Sequence, residues 1–195
     1  MVAIPTLVAI WALAGLYGSL GPALVRTVSG STSVILGGLA LFVLAAFAAL
    51  TVLLVRTADP GRTALAGSVA LAAGVGLSLL AVAEQAIVPF YVGGAIAGVG
   101  FGAGFQGALR TVLPLAEPHE RAGVLSIVYV VCYLSMGLPA VIGGVLAVHG
   151  GVVLTAREYG GAVIVLAALA FAGGLWRTRA AARRRAARPA CPAQA

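Results

Sequence analysis

Fifteen consecutive positions, residues 93–107, read GGAIAGVGFGAGFQG. Seven are glycine, only Gln106 is polar, and apolar sequence flanks them on both sides. In water each glycine costs a helix about 1 kcal/mol relative to alanine, so a soluble helix here would melt. In hydrocarbon an unpaired backbone group costs several kcal/mol, which holds the helix together by its own hydrogen bonds. Glycine then becomes useful, because it lets neighbouring helices approach closely. At helical spacing Gly93, Ala97, Gly100, Gly104, Gly107 and Thr111 form one small face. Phe101, Phe105, Ala108 and Val112 form a bulkier face, and Gln106 and Arg110 share a third. A helix with three distinct faces is expected to be surrounded by other helices. These glycines make no phosphate-binding loop, since they lie inside an apolar run and not in a turn after a strand.

The whole chain supports that setting. Of its 195 residues 62% are hydrophobic and 9% charged, with a mean hydropathy of +1.11. A soluble domain carries about 25% charged residues. A span takes about 20 apolar residues, and six such runs fit, near 2–25, 34–55, 63–83, 88–113, 122–148 and 159–176. The runs do not alternate in the manner of a membrane β-barrel. The expected fold is therefore all-α and integral to the membrane, with six transmembrane helices over residues 1–176 and a basic, disordered cytoplasmic tail over 177–195. Asp59 followed by Pro60 has the form of an N-cap with proline at the first helical position. Pro139 predicts a kink, 149–158 a turn, and Glu117 a pairing with Arg121 at the start of the fifth span. A Gly21-Pro22 pair sits near the far end of the first run.

The net charge of +7 comes from twelve arginines, with no lysine. They lie at helix ends and in the tail without interleaved aromatics, so membrane topology explains them better than nucleic acid does. One side of the expected topology holds Arg56, Arg62, Arg110, Arg121, Arg177, Arg179, Arg183, Arg184, Arg185 and Arg188; the other holds Arg26 and Arg157. Basic residues collect on the cytoplasmic side, so both termini are expected in the cytoplasm and the chain in the plasma membrane. The first run lacks a basic residue at its cytoplasmic end, which suggests that a preceding segment sets its orientation and that the chain is the later part of something longer. Cys132 and Cys191 make no disulfide framework and read as free thiols.

Six helices with short loops, a basic inner side and a basic tail resemble the C-terminal half of a major facilitator superfamily transporter, over about residues 3–176. Asp59-Pro60-Gly61-Arg62 resembles the degenerate copy of the family's D-x-x-G-R loop, with one residue fewer before Gly61. The glycine-rich fourth span followed by Glu120-Arg121, and Thr155-x-x-x-Tyr159 before the last, are similar to efflux members of actinobacterial type. The resemblance implies a half-transporter bundle forming one wall of an alternating-access pathway, with substrate between two halves near the midplane. It implies efflux of a small organic solute, a gating role for Asp59, Gly61 and Arg62, and a missing N-terminal six-helix half, supplied as a partner or by a second copy of the chain as a homodimer.

Chemistry-bearing groups are few. Asp59, Glu84, Glu117, Glu120, Glu158, His119 and His149 all fall in loops or at helix ends. No paired carboxylates, Ser-His pair or metal-spaced Cys/His cluster occupies a span, so neither an enzyme nor a cofactor or metal site is expected. The candidate substrate contacts are Tyr17, Phe105, Gln106, Tyr129 and Tyr133. Each also has a packing reading. Tyr129 and Tyr133 share a face of the fifth span with Ser126 and Met136 and could serve helix contacts; Gln106 could make an interhelical hydrogen bond; Phe101 and Phe105 could fill space. Trp11 lies too deep for an interfacial belt and is expected to pack, Trp176 suits the belt, and Arg110 is expected to snorkel. A non-transporting six-helix scaffold or accessory subunit is the alternative from another functional class.

Overall fold

Each apolar run must satisfy its own peptide groups in hydrocarbon. The computed structural model, which describes residues 3–186, does so with seven α-helices. They are α1 (Ala3–Ser19), α2 (Gly21–Ser29), α3 (Val34–Leu54), α4 (Pro60–Ala83), α5 (Ile87–Val112), α6 (Arg121–Gly150) and α7 (Val152–Ala186), with a 3₁₀ turn at Leu113–Leu115. Five of them are long and apolar enough to cross a membrane, and α1 with α2 makes a sixth span broken by a 55° bend. The chain is thus an all-helical, multi-pass membrane protein by length and composition.

Three differences from expectation have local causes. The first run is two helices, because Pro22 enters at the start of α2 and offers no N–H to continue the α1 ladder. The turn expected at 149–158 shrinks to Gly151, whose φ of +87° a side chain would strain. Arg157 and Glu158 then ride exposed on the first turns of α7. Finally, α7 continues to Ala186, ten residues past the boundary expected at Trp176, so the first part of the supposedly disordered tail is helical. Residues 187–195, the rest of that tail, lie outside the described residues, as does Cys191. α6 runs through Pro139 as one helix. Asp59 does cap α4: its Oδ1 accepts the Arg62 N–H at 2.8 Å, with Pro60 in the first turn.

Packing is organised around α5, which lies against α4, α3 and α1. Against α4 the small residues of both helices interleave. A Cβ at Gly100 would overlap the Leu71 backbone, one at Gly93 would overlap Ser78, and one at Gly107 would come within 2.7 Å of the Ala64 nitrogen. Equally, a Cβ at Gly74 would overlap Ala97, and one at Gly67 would sit 2.5 Å from the Gly104 nitrogen. A second glycine face, Gly98 and Gly102, presses on the Leu44 and Ala48 carbonyls of α3. Gly104 keeps its backbone in the seam against Gly67, but a Cβ added to it would point at the Ile10 and Thr6 methyls of α1. α6 and α7 flank α1, where Tyr159 donates to the Ala12 carbonyl at 2.9 Å and Thr155 is buried beside it.

Candidate functional site: an aromatic face on three spans

Near the middle of α1, Trp11 meets three rings from two other helices. Its centroid lies 5.9 Å from Phe101 and 6.2 Å from Phe105 on α5, and 5.4 Å from Tyr133 on α6. Phe101 and Phe105 stack at 6.3 Å, as successive turns of one helix face require, and Tyr129 stacks on Tyr133 at 6.3 Å. The tilted and edge-on contacts of Trp11 are the arrangement that ring quadrupoles favour.

The group is not sealed. Tyr129 is 41% exposed and Tyr133 58% exposed, while Trp11, Phe101 and Phe105 are half-buried. Trp11 Nε1 is buried and without a hydrogen-bond partner among the described residues, although a buried indole N–H ordinarily finds one. Gln106, one residue on from Phe105, is half-buried and hydrogen-bonds to nothing among the described residues. The face therefore combines five rings and an unpaired N–H, while Gln106 lies on another side of α5, between Gly102 and Arg110, which meet α3 and the loop after it. Among the described residues, no three His, Cys, Asp or Glu side chains come together.

Of the expected contacts, Phe105, Tyr129 and Tyr133 belong to this face. Tyr17 does not. It is buried on another side of α1, hydrogen-bonded to Ser78 Oγ at 2.6 Å and stacked on Phe90 at 6.0 Å. The void beside it measures about 10 Å³, the room of a single water at most. The expected reading of Trp11 as a packing residue missed its central position. The signal was present in its mid-span placement and in the aromatic i, i+4 pairs on two later spans.

The loop residues sit at the arginine-rich end. Asp59 is engaged by the Arg62 N–H, Arg62 is exposed, and Gly61 edges a cleft of about 270 Å³ together with Thr6, Thr111, Arg177 and Thr178. This cleft brings the start of α1, the start of α4, the end of α5 and the later part of α7 to one end of the bundle. Arg110 does not simply snorkel. Its guanidinium donates to the Ala58 carbonyl at 2.6 Å and reaches the Val55 carbonyl at 3.5 Å. It thereby places a cation on the negative end of the α3 dipole and fixes the α3–α4 loop. Glu117 pairs with His119 at 3.6 Å, both exposed, in place of the expected Arg121.

No protein-family model matches the chain, and comparison with curated proteins and with solved structures likewise finds no match.

Proposed function

We infer that the chain is a membrane transport protein, one wall of a solute pathway of the major-facilitator type that exports a small organic molecule by alternating access. The observation that carries this reading is the aromatic face on α1, α5 and α6. It is a concentration of rings around an unpaired indole N–H at mid-span, on a side of the bundle that the chain itself leaves uncovered. Ligand sites in helical bundles are apolar walls with a few placed polar groups. An N-terminal six-helix half, or a second copy, supplies the opposite wall. The bilayer is the plasma membrane, with both termini on its cytoplasmic side, as the arginine distribution suggests. Asp59, Gly61 and Arg62 serve the gate at that side through the loop that Arg110 holds.

Trp11 and Trp176 are the two tryptophans of the chain, which gives a direct test. In a Trp176→Phe background, Trp11 alone reports on the face. The expected outcome is saturable quenching of its fluorescence by a subset of aromatic organic solutes when the chain is held in nanodiscs. Tyr133→Leu is expected to change that response and to change dye accumulation in cells expressing the chain with its opposite half. A strictly linear response to every solute, with Tyr133→Leu indistinguishable from the parent, would favour the scaffold reading.

A further inference from the structure

The 270 Å³ cleft at the arginine-rich end is separate from the aromatic face and has a different chemistry. Its floor is small and apolar: Ala108 and Ala170 are buried, and Ala64, Leu65 and Gly174 are half-buried around them. Its mouth is polar, and there Arg177 and Thr178 are exposed. The Thr111 hydroxyl donates to the Gly107 carbonyl and the Thr178 hydroxyl to the Leu175 carbonyl, so neither proton is free. The donor left at the mouth is the Arg177 guanidinium. Asp59 keeps its carboxylate on the Arg62 N–H, 3.4 Å from where a Gly61 Cβ would stand, so the start of α4 is already capped by an anion and the arginine is left to meet any other.

The depth of the cleft is also marked. Trp176, 78% exposed beside Arg177, belongs at the level of the lipid headgroups. The mouth thus lies where headgroups lie, and the apolar floor extends from there toward the hydrocarbon. A soluble anion would use the mouth and leave the floor empty; an acyl chain would use the floor and leave the arginine unpaired. We propose that this cleft binds one anionic phospholipid. The phosphate is held by the Arg177 guanidinium, and the first carbons of an acyl chain lie over Ala64, Ala108 and Ala170. Basic pockets between spans on the cytoplasmic side are recognition sites for such headgroups, and Arg62 and Arg179 raise the local positive charge further. The site ties the α4 start, and so the loop that Arg110 holds, to the composition of the inner leaflet. It does not depend on the aromatic face being a solute pathway.

Native mass spectrometry of the full chain in mild detergent tests this, with phosphatidylglycerol and phosphatidylcholine of identical acyl chains. The expected result is one retained phosphatidylglycerol, preferred over phosphatidylcholine by about tenfold. Arg177→Gln is expected to reduce retention about fivefold, the scale of one arginine at a charged interface, while Arg177→Lys keeps most of it. Gly174→Leu should abolish retention with every charge intact, since its side chain grows toward Leu65 across the floor. Arg157→Gln, at the opposite end of the bundle, should change nothing. The proposal is overturned if Arg177→Gln retains phosphatidylglycerol like the parent, if phosphatidylcholine competes equally, or if millimolar inorganic phosphate displaces the lipid, which would mark a free-anion site. Helicity and elution volume matched to the parent qualify each variant. If Gly174→Leu does not fold, the Arg177 pair decides alone.

Discussion

α5 and α6 are similar in length and both are apolar enough to span a bilayer, yet half of the α5 span is buried inside the protein and only 11% of the α6 span is. The more buried helix is the less hydropathic one. In water the order would be reversed, because burial there follows apolar area. In lipid, apolar side chains gain little by leaving the hydrocarbon, and close backbone approach decides which helices sit inside. The glycines of α5 permit that approach to α4 on one side and to α3 on another. α6 keeps large side chains such as Ile127, Val130, Leu134 and Leu138 outward, exposed on the surface of the bundle. Among these aliphatic side chains stand Tyr129 and Tyr133, stacked on each other, and through Tyr133 the pair reaches Trp11.

Substitutions on the two helices should therefore separate sharply. Gly100→Leu is expected to be the most damaging, because its Cβ would overlap Leu71 backbone that cannot move aside. A loss of about 3 kcal/mol or more, the upper range of overpacking, should appear as failure of the bundle to survive mild denaturing detergent. Gly104→Leu is expected to cost less, about 1–2 kcal/mol, since its first carbon meets the Ile10 and Thr6 methyls at 3.1 and 3.4 Å and overlaps no backbone. Equal damage at both positions would mean that the two contacts are not different in kind. Arg110→Gln should lose the clamp on Ala58 and Val55 and about 0.5–1 kcal/mol, with proteolysis between α3 and α4 increasing. Tyr159→Phe, which removes the bond to Ala12, should cost about 0.6 kcal/mol, read as a small shift in the same denaturation curve. Tyr133→Leu on α6 should leave stability within about 0.5 kcal/mol while changing the Trp11 emission. If Tyr133→Leu destabilised the bundle as Gly100→Leu does, the contrast between a packing helix and a wall helix would be lost.

Much of this arrangement was readable in the chain. Four of the spans begin or end within a few residues of their apolar runs, and the small face of α5 emerged from spacing alone. The N-cap at Asp59 followed from two adjacent residues whose chemistry has one common use. What escaped prediction depended on partners distant in sequence. Nothing near Arg110 tells that Ala58 and Val55 carbonyls await it, and nothing near Gly98 tells that α3 approaches so closely. Spacing places Gly104 in the α4 seam, where its backbone does meet Gly67, but nothing in the spacing tells that α1 lies on its open side. The charged Arg157-Glu158 pair suggested a turn, although a helix emerging at the membrane edge carries such residues without interruption. Trp11 was read by its depth alone, and its role became visible only with α5 and α6 beside it.

The bend between α1 and α2 bears on how the chain fits its bilayer. Laid straight, α1, Leu20 and α2 would run about 40 Å at 1.5 Å per residue, well beyond the roughly 30 Å of a hydrocarbon core. Folding α2 over by 55° shortens the projected length to about 33–35 Å, close to the roughly 31 Å of α3 beside it. A span too long for its membrane must tilt, kink or thicken the bilayer around it. Here Pro22 provides the kink within the sequence, so the surplus length turns aside from α1 and packs on the first part of α3.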